Sequence, residues 1–267
     1  MISAAFNELS LHVQTRGQGP ELVFIHGWGM HGGIWDDVAG ELESQFRIHQ
    51  VDLPGHGQSP LNENAFELPT VTEQLYSTLA TILEEPAVIV GWSLGGMVAT
   101  HFATQYPRLV HKLVLIATNL RFSKTEDWPD AVEQDLLNLF ANELTHNFSA
   151  TLQRFLALQV KGDEYARQTL RELRQRITRQ KEPDAKALEG GLQILSNDDL
   201  RQHVGQLNVP VKCIFGEHDM LVPESVVKKI NILIPNCNSR VIEGAGHAPF
   251  ISHSAEFLKE LKEFIHE

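Results

Sequence analysis

The chain has 267 residues, 42% of them hydrophobic, with a formal net charge of −12. That length allows one large α/β domain or two small ones, and the acidic balance argues against nucleic acid and anionic membrane as partners of the whole surface. No run approaches the roughly 20 apolar residues that a bilayer demands, and residues 1–14 show no basic stretch followed by an apolar block, so the expectation is a soluble, unexported monomer with no membrane contact.

Along the chain, LSLHVQ (10–15) and ELVFIHG (21–27) read as strands, 34–44 as a helix, FRIHQVD (46–52) as a strand and 71–84 as a helix. AVIVGWS (87–93) and KLVLIAT (112–118) read as strands on either side of a helix at 95–106. From 120 to 208 no strand pattern occurs, only helix-like segments broken by Pro129, Gly162, Pro183 and the Gly190-Gly191 pair. Such an interval is too long for a connecting loop, and it reads as a helical cap inserted into a core formed by 1–119 and 209–267. VPVKCIFG (209–216) and SRVIEG (239–244) are the last strands, alternating with helices at 223–233 and 255–266. Several strands are apolar on both faces, as in a mostly parallel sheet covered by helices on both sides; the fold class is α/β. Cys213 lies in a strand and Cys237 in an expected turn, and they read as a core thiol and a spare one rather than a disulfide or zinc pair. That usage fits a reducing, cytoplasmic compartment.

GWSLG (91–95) matches G-x-S-x-G, and its setting between a buried strand and a helix start is the one a nucleophile elbow needs, because the tight turn leaves no room for side chains at 91 and 95. Ser93 is therefore the candidate nucleophile. A serine hydroxyl needs a base within hydrogen-bond reach and a third group to orient that base. His247 in EGAGHAPF follows the last strand in a Gly-bracketed loop and is favoured over His253, which falls at a helix entrance. Asp219 in FGEHDMLVP follows the strand before it, with Glu217 as the rival acid. The order Ser93, Asp219, His247 matches the nucleophile-acid-base order of α/β-hydrolases.

The stretch HGWGMHGG (26–33) allows two readings. Gly27, Gly29 and Gly32, with Asp52 twenty residues on, spell a dinucleotide fingerprint. That reading leaves Ser93, Asp219 and His247 as coincidences and puts the bulky Trp28 where a pyrophosphate needs close access. As an oxyanion loop the same stretch supplies the backbone N–H of Trp28, beside that of Leu94 at the start of the helix after the nucleophile. Asp52 then belongs to the turn DLPGHGQS (52–59) at the pocket floor.

Through HGWG, DLPGHGQS, GWSLGG, GEHD and GAGHAPF the chain resembles the α/β-hydrolases along its whole length. Through RFLALQ (154–159), GGLQIL (190–195), DLR (199–201) and HAPFISH (247–253) it also resembles the pimeloyl-acyl-carrier-protein methyl ester carboxylesterases of biotin synthesis. That resemblance implies hydrolysis of the methyl ester at the distal end of a seven-carbon acyl chain, with the thioester to acyl carrier protein left intact and no metal or organic cofactor. It further implies that Arg154, Arg167 and Arg171 touch the carrier, while a further arginine of the pattern is Ala150 here. Charge agrees: residues 152–181 hold eight basic and three acidic side chains, a net of +5, against −17 for the remainder. Arg167, Arg171 and Arg174 are spaced to form one helical stripe that would steer an acidic partner. Trp28, Trp92 and Phe155 are the expected lining of the acyl channel. A generalist short-chain carboxylesterase or lactonase is the alternative, since a triad alone does not choose an acyl group; a non-catalytic hydrolase-fold receptor is a third reading.

Overall fold

The structure, a computed structural model, describes residues 10–61, 66–234 and 236–267; the reading of 1–14 as leader-free falls largely outside them. In chain order come β1 (Val13–Arg16), β2 (Glu21–Ile25), a 3₁₀ turn leading into α1 (Asp36–Gly40), β3 (Arg47–Val51), α2 (Leu68–Ile82), β4 (Ala87–Trp92), α3 (Leu94–Gln105) and β5 (Val110–Ile116). Four helices follow, α4 (Gln134–His146), α5 (Phe148–Gln159), α6 (Ala166–Ile177) and α7 (Ala185–Asn197). The chain then forms β6 (Val211–Gly216), α8 (Val227–Leu233), β7 (Cys237–Ile242), α9 (Pro249–Ser252) and α10 (Ser254–His266).

Among the described residues the strands form one seven-stranded sheet, ordered β1-β3-β2-β4-β5-β6-β7. Only the β1–β3 pairing is antiparallel. Every residue of β2, β4 and β6 is buried, because helices cover both faces there. At the edge β7 alternates exposed and half-buried residues, as a strand with one wet face does. The parallel register places the C-terminal ends of β2, β4, β5, β6 and β7 along one rim, and the loops that leave this rim carry the candidate site.

Three local expectations need correction. The helix expected over 34–44 is a 3₁₀ turn (Gly32–Trp35) followed by only a short α1, because the Trp35 and Ile34 side chains are drawn into the core and set the backbone there. The strand expected at 10–15 is displaced to Val13–Arg16, where it can pair with β3. Cys237 lies not in a turn but at the start of β7 opposite Val211, and this register brings its Sγ within 3.2 Å of Cys213 Sγ, so neither thiol is isolated.

The four helices between β5 and β6 start and end close together: Leu200 N–H donates to the Leu120 carbonyl at 2.9 Å, and Arg121 pairs with Asp199 at 3.0 Å. Arg176, counted in the basic stretch of the sequence, turns inward. It donates to the Ile34 carbonyl and pairs with Asp37, tying α6 to the core. A charge buried in this way survives only with such partners.

Candidate active site

The site is built on the turn after β4. Ser93 has φ 56° and ψ −119°, a left-handed conformation that a non-glycine residue adopts only under external constraint, at a cost of about 1–3 kcal/mol. Contacts on both sides impose it. A Cβ on Gly91 would stand 2.4 Å from the Gly95 carbonyl oxygen, and one on Gly95 would stand 2.3 Å from the His26 carbonyl oxygen. Only glycine permits this approach, and the result lifts the Ser93 side chain clear of the strand end.

Ser93, Asp219 and His247 are 1%, 4% and 0% exposed and converge from the ends of β4, β6 and β7. His247 Nε2 lies 2.9 Å from Ser93 Oγ, and its Nδ1 lies 2.7 Å from Asp219 Oδ2. The other carboxylate oxygen, Oδ1, accepts the N–H groups of Leu221 at 2.8 Å and Val222 at 3.0 Å, which fixes the carboxylate plane. This geometry leaves Nδ1 protonated toward Asp219 and Nε2 unprotonated toward the serine, the tautomer a general base requires. The rival residues go elsewhere. Glu217 accepts the Gly244 N–H at 2.9 Å, and His253 meets Ser252 Oγ at 2.8 Å and lies 3.8 Å from Glu164.

Trp28 lies in the turn after β2, where the Met30 N–H donates to the Gly27 carbonyl at 3.2 Å, and Leu94 opens α3 next to the serine. The Trp28 ring is fully buried, donates through Nε1 to the Leu188 carbonyl of α7 at 2.8 Å and packs on Phe155 of α5 with centroids 4.6 Å apart. Trp92 is also fully buried, against Trp35 and Phe250, and its Nε1 donates to the His247 carbonyl at 2.8 Å. Expected only as channel lining, Trp92 thus braces the main chain of the histidine, a role that no feature of the motif announces. Asp52 takes three bonds, from Gly32 N–H at 2.6 Å, Gln58 N–H at 2.9 Å and His12 Nδ1 at 3.1 Å. Its carboxylate thereby joins the turn at Gly32 to the turn at Gln58.

The loop after β2 starts from His26, whose Nδ1 donates to the Gly27 carbonyl at 2.8 Å while Nε2 accepts the Leu53 N–H at 2.9 Å. His56 lies 5.1 Å away, centroid to centroid, and donates to the Pro54 carbonyl. Burial, and then the proximity of His56, holds His26 well below the usual imidazole range. Burial lowers His56 to about 4, against a partial upward pull from its bond to Pro54. The unfolded chain takes up these protons from about pH 6.5 downward while the fold refuses them, so stability is intact above that value and falls as pH drops toward about 4. His56 alone accounts for about 3 kcal/mol. Urea midpoints should therefore decline between pH 7 and pH 4.5; a midpoint that is flat or rises toward acid contradicts this.

Apart from Arg176, the arginines on α5 and α6 face outward. Arg154, Arg167, Arg171 and Arg174 are exposed, and Arg154 pairs with Glu143. Leu136 and Phe140 of α4, Leu158 of α5 and Leu170 of α6 floor a groove of about 470 Å³ rimmed by Arg154, Lys161 and Arg167. A second groove of about 430 Å³ continues along Arg167, Arg171 and Arg174. Ala150, in the first turn of α5, adds no charge to this face. Among the described residues no group of three or more His, Cys, Asp or Glu could hold a metal ion, and no helix is long and apolar enough to cross a membrane.

A family model for the alpha/beta hydrolase fold matches residues 20–254. Pimeloyl-acyl-carrier-protein methyl ester esterase from Aeromonas salmonicida is 39% identical over 258 residues, covering 96% of this chain and 100% of that protein. The enzyme of the same name from Nitrosomonas europaea is 39% identical over 249 residues, covering 93% and 97%. Among solved structures, an esterase from Exiguobacterium antarcticum superposes with a TM-score of 0.89 at 18% identity, covering 96% of both chains. An enol-lactonase from Burkholderia xenovorans superposes with a TM-score of 0.83 at 18% identity, covering 96% of each chain; at such identities these two likenesses speak for the fold alone. The chain belongs to the α/β-hydrolase fold family, and within it to the group of the pimeloyl-acyl-carrier-protein methyl ester esterases.

Proposed function

We propose that this chain is a serine carboxylesterase that hydrolyses the methyl ester of pimeloyl-acyl-carrier-protein methyl ester to pimeloyl-acyl-carrier protein and methanol, a step of biotin synthesis. The observation that carries the reading is the near-full-length likeness to esterases of that name, in a chain whose Ser93, His247 and Asp219 stand in hydrogen-bond contact.

His247 Nε2 takes the Ser93 proton as Oγ attacks the ester carbonyl. Asp219 holds the imidazole in place and stabilises the imidazolium. The oxyanion of the tetrahedral intermediate is met by the N–H groups of Trp28 and Leu94, the latter at the positive end of the α3 dipole. His247 then protonates the departing methoxide. A water deprotonated by the same imidazole attacks the acyl-enzyme and releases the distal carboxylate. No step calls for a metal or an organic cofactor. Residues 120–208 act as the cap, and Trp28, Trp92 and Phe155 give the methylene chain apolar contact. Entering end first, the acyl chain presents its methyl ester to Ser93 and leaves the thioester at the mouth.

The carrier protein binds across the exposed Arg154, Arg167 and Arg171, with the groove beside them to take apolar side chains. Reversing two of these charges, Arg167→Glu with Arg171→Glu, should raise KM for the carrier-borne ester by about tenfold or more while a free short aryl ester is turned over as before. The difference should shrink as salt is raised. Equal effects on both substrates would remove the carrier from the reading. The reaction itself is tested by incubating the protein with methyl pimeloyl carrier protein and weighing the product. Loss of the methyl group with the thioester retained is expected; an intact methyl ester, with free short esters cleaved, points instead to a generalist esterase.

A further inference from the structure

The side chain of His247 is held from the core, through Asp219 and Ser93, but its main chain is held from two sides: Trp92 of the core holds its carbonyl, and the helices between β5 and β6 hold its N–H and that of the residue before it. The His247 N–H donates to the carbonyl of Gln159, the last residue of α5, at 3.0 Å. One residue earlier, the Gly246 N–H donates to Asp163 Oδ2 at 2.7 Å. Two residues before that, the Gly244 carbonyl accepts the Glu164 N–H at 2.9 Å. Asp163 is itself fixed: its Oδ1 accepts the Tyr165 N–H at 2.7 Å, and the residue is 6% exposed. The two segments are in such close contact that a Cβ on Gly246 would stand 3.1 Å from both the Asp163 Cβ and the Gln159 carbonyl oxygen.

We propose that Asp163 is a positioning residue for the hydrolytic reaction, one that pins the Gly246 amide and, with the Gln159 carbonyl, sets where the His247 imidazole meets Ser93. The segment 244–247 reads Gly-Ala-Gly-His, so the residues before the histidine offer a single methyl group for side-chain packing. Hydrogen bonds to the main chain must do what packing does elsewhere. A carboxylate is the strongest uncharged-donor acceptor a side chain can supply, and a bond from it to a backbone N–H is shorter and firmer than a neutral one. Asp163 also has two amides to serve, Gly246 and Tyr165, one for each oxygen. The proposal rests on the serine-esterase part of the function proposed above and not on its acyl substrate.

The test uses a small aryl ester, with full kinetics on Asp163→Ala and Asp163→Asn and on Ser93→Ala as control. Removing both acceptor oxygens should misplace the imidazole enough to lower kcat by about 10²-fold, with KM within about threefold of the parent. Asparagine keeps one acceptor oxygen and should recover most of that loss, to within about tenfold of the parent. In the proton NMR spectrum the low-field resonance of the His247 Nδ1–H, bonded to Asp219, should broaden in the alanine variant and sharpen again in the asparagine variant. A folded alanine variant with parental kcat, a loss confined to KM, or a fall in kcat with that resonance untouched would each overturn the assignment. If the alanine variant does not fold, the near-isosteric asparagine variant decides by itself: kcat about threefold or more below the parent at unchanged KM supports the assignment, and parental kcat defeats it. Turnover that survives Ser93→Ala removes the serine chemistry itself; inactive Ser93→Ala beside fully active Asp163 variants removes only the role of Asp163.

Discussion

Replacing Ser93 by alanine is expected to lower ester turnover by about 10⁵–10⁶-fold, since the nucleophile and its base act as a unit and the loss of one costs about as much as the loss of both. The fold should survive. Alanine tolerates the φ of 56° no worse than serine does, and the cramped contacts at Gly91 and Gly95 that impose it are unchanged. What disappears from the ground state is one hydrogen bond to His247 Nε2, worth about 1 kcal/mol. Thermal unfolding should therefore move by only a few degrees while the burst of alcohol release from an aryl ester vanishes. Turnover within tenfold of the parent would mean that another group attacks the carbonyl, and the serine assignment would fall.

Asp219→Asn should be the next most damaging change, at about 10⁴-fold in kcat, and the structure says why. Oδ1 of Asp219 accepts the N–H groups of Leu221 and Val222. An asparagine amide satisfies those two donors only with its own oxygen, so its NH₂ group must occupy the place of Oδ2. That group faces His247 Nδ1 at 2.7 Å. A donor there forces Nδ1 to become the acceptor, moves the ring proton to Nε2, and aims an N–H at the Ser93 oxygen in place of a lone pair. The imidazole is then correctly placed and unable to accept the serine proton. Side-chain volume hardly changes, so stability should stay close to that of the parent. Measured kcat within tenfold of the parent, in a folded protein, would show that Asp219 does not set the tautomer.

How far the sequence reaches is clearest residue by residue. Ser93, Asp219 and His247 were legible because each follows a strand pattern, and parallel strands deliver their C-terminal ends to one rim whatever the helices between them do. The Trp28 loop was legible because Gly27 and Gly29 flank it directly after a strand. The short 3₁₀ and α1 segment was read as a longer helix because its apolar spacing suits either, and only the burial of Trp35 decides between them. The neighbouring thiols of Cys213 and Cys237 depend on strand register, which two separate strand patterns do not specify. Arg176 lies in a run of basic residues that looks uniformly solvated, and its inward turn depends on Asp37 being in reach from the core. Asp163 was beyond sequence reading altogether: its partner lies 83 residues away and is a main-chain amide, which has no residue type to recognise.

The seam between the four helices that follow β5 and the sheet bears on any exchange of those helices among hydrolases of this family. Main-chain groups on both sides share a bond at the catalytic histidine, Gln159 with His247, and the Trp28 indole crosses from the loop after β2 to the Leu188 carbonyl. Helices transplanted alone would therefore leave behind the partners of these bonds. The unit that can be grafted is the four helices together with the two loops, 26–37 and 244–247, into which they are stitched.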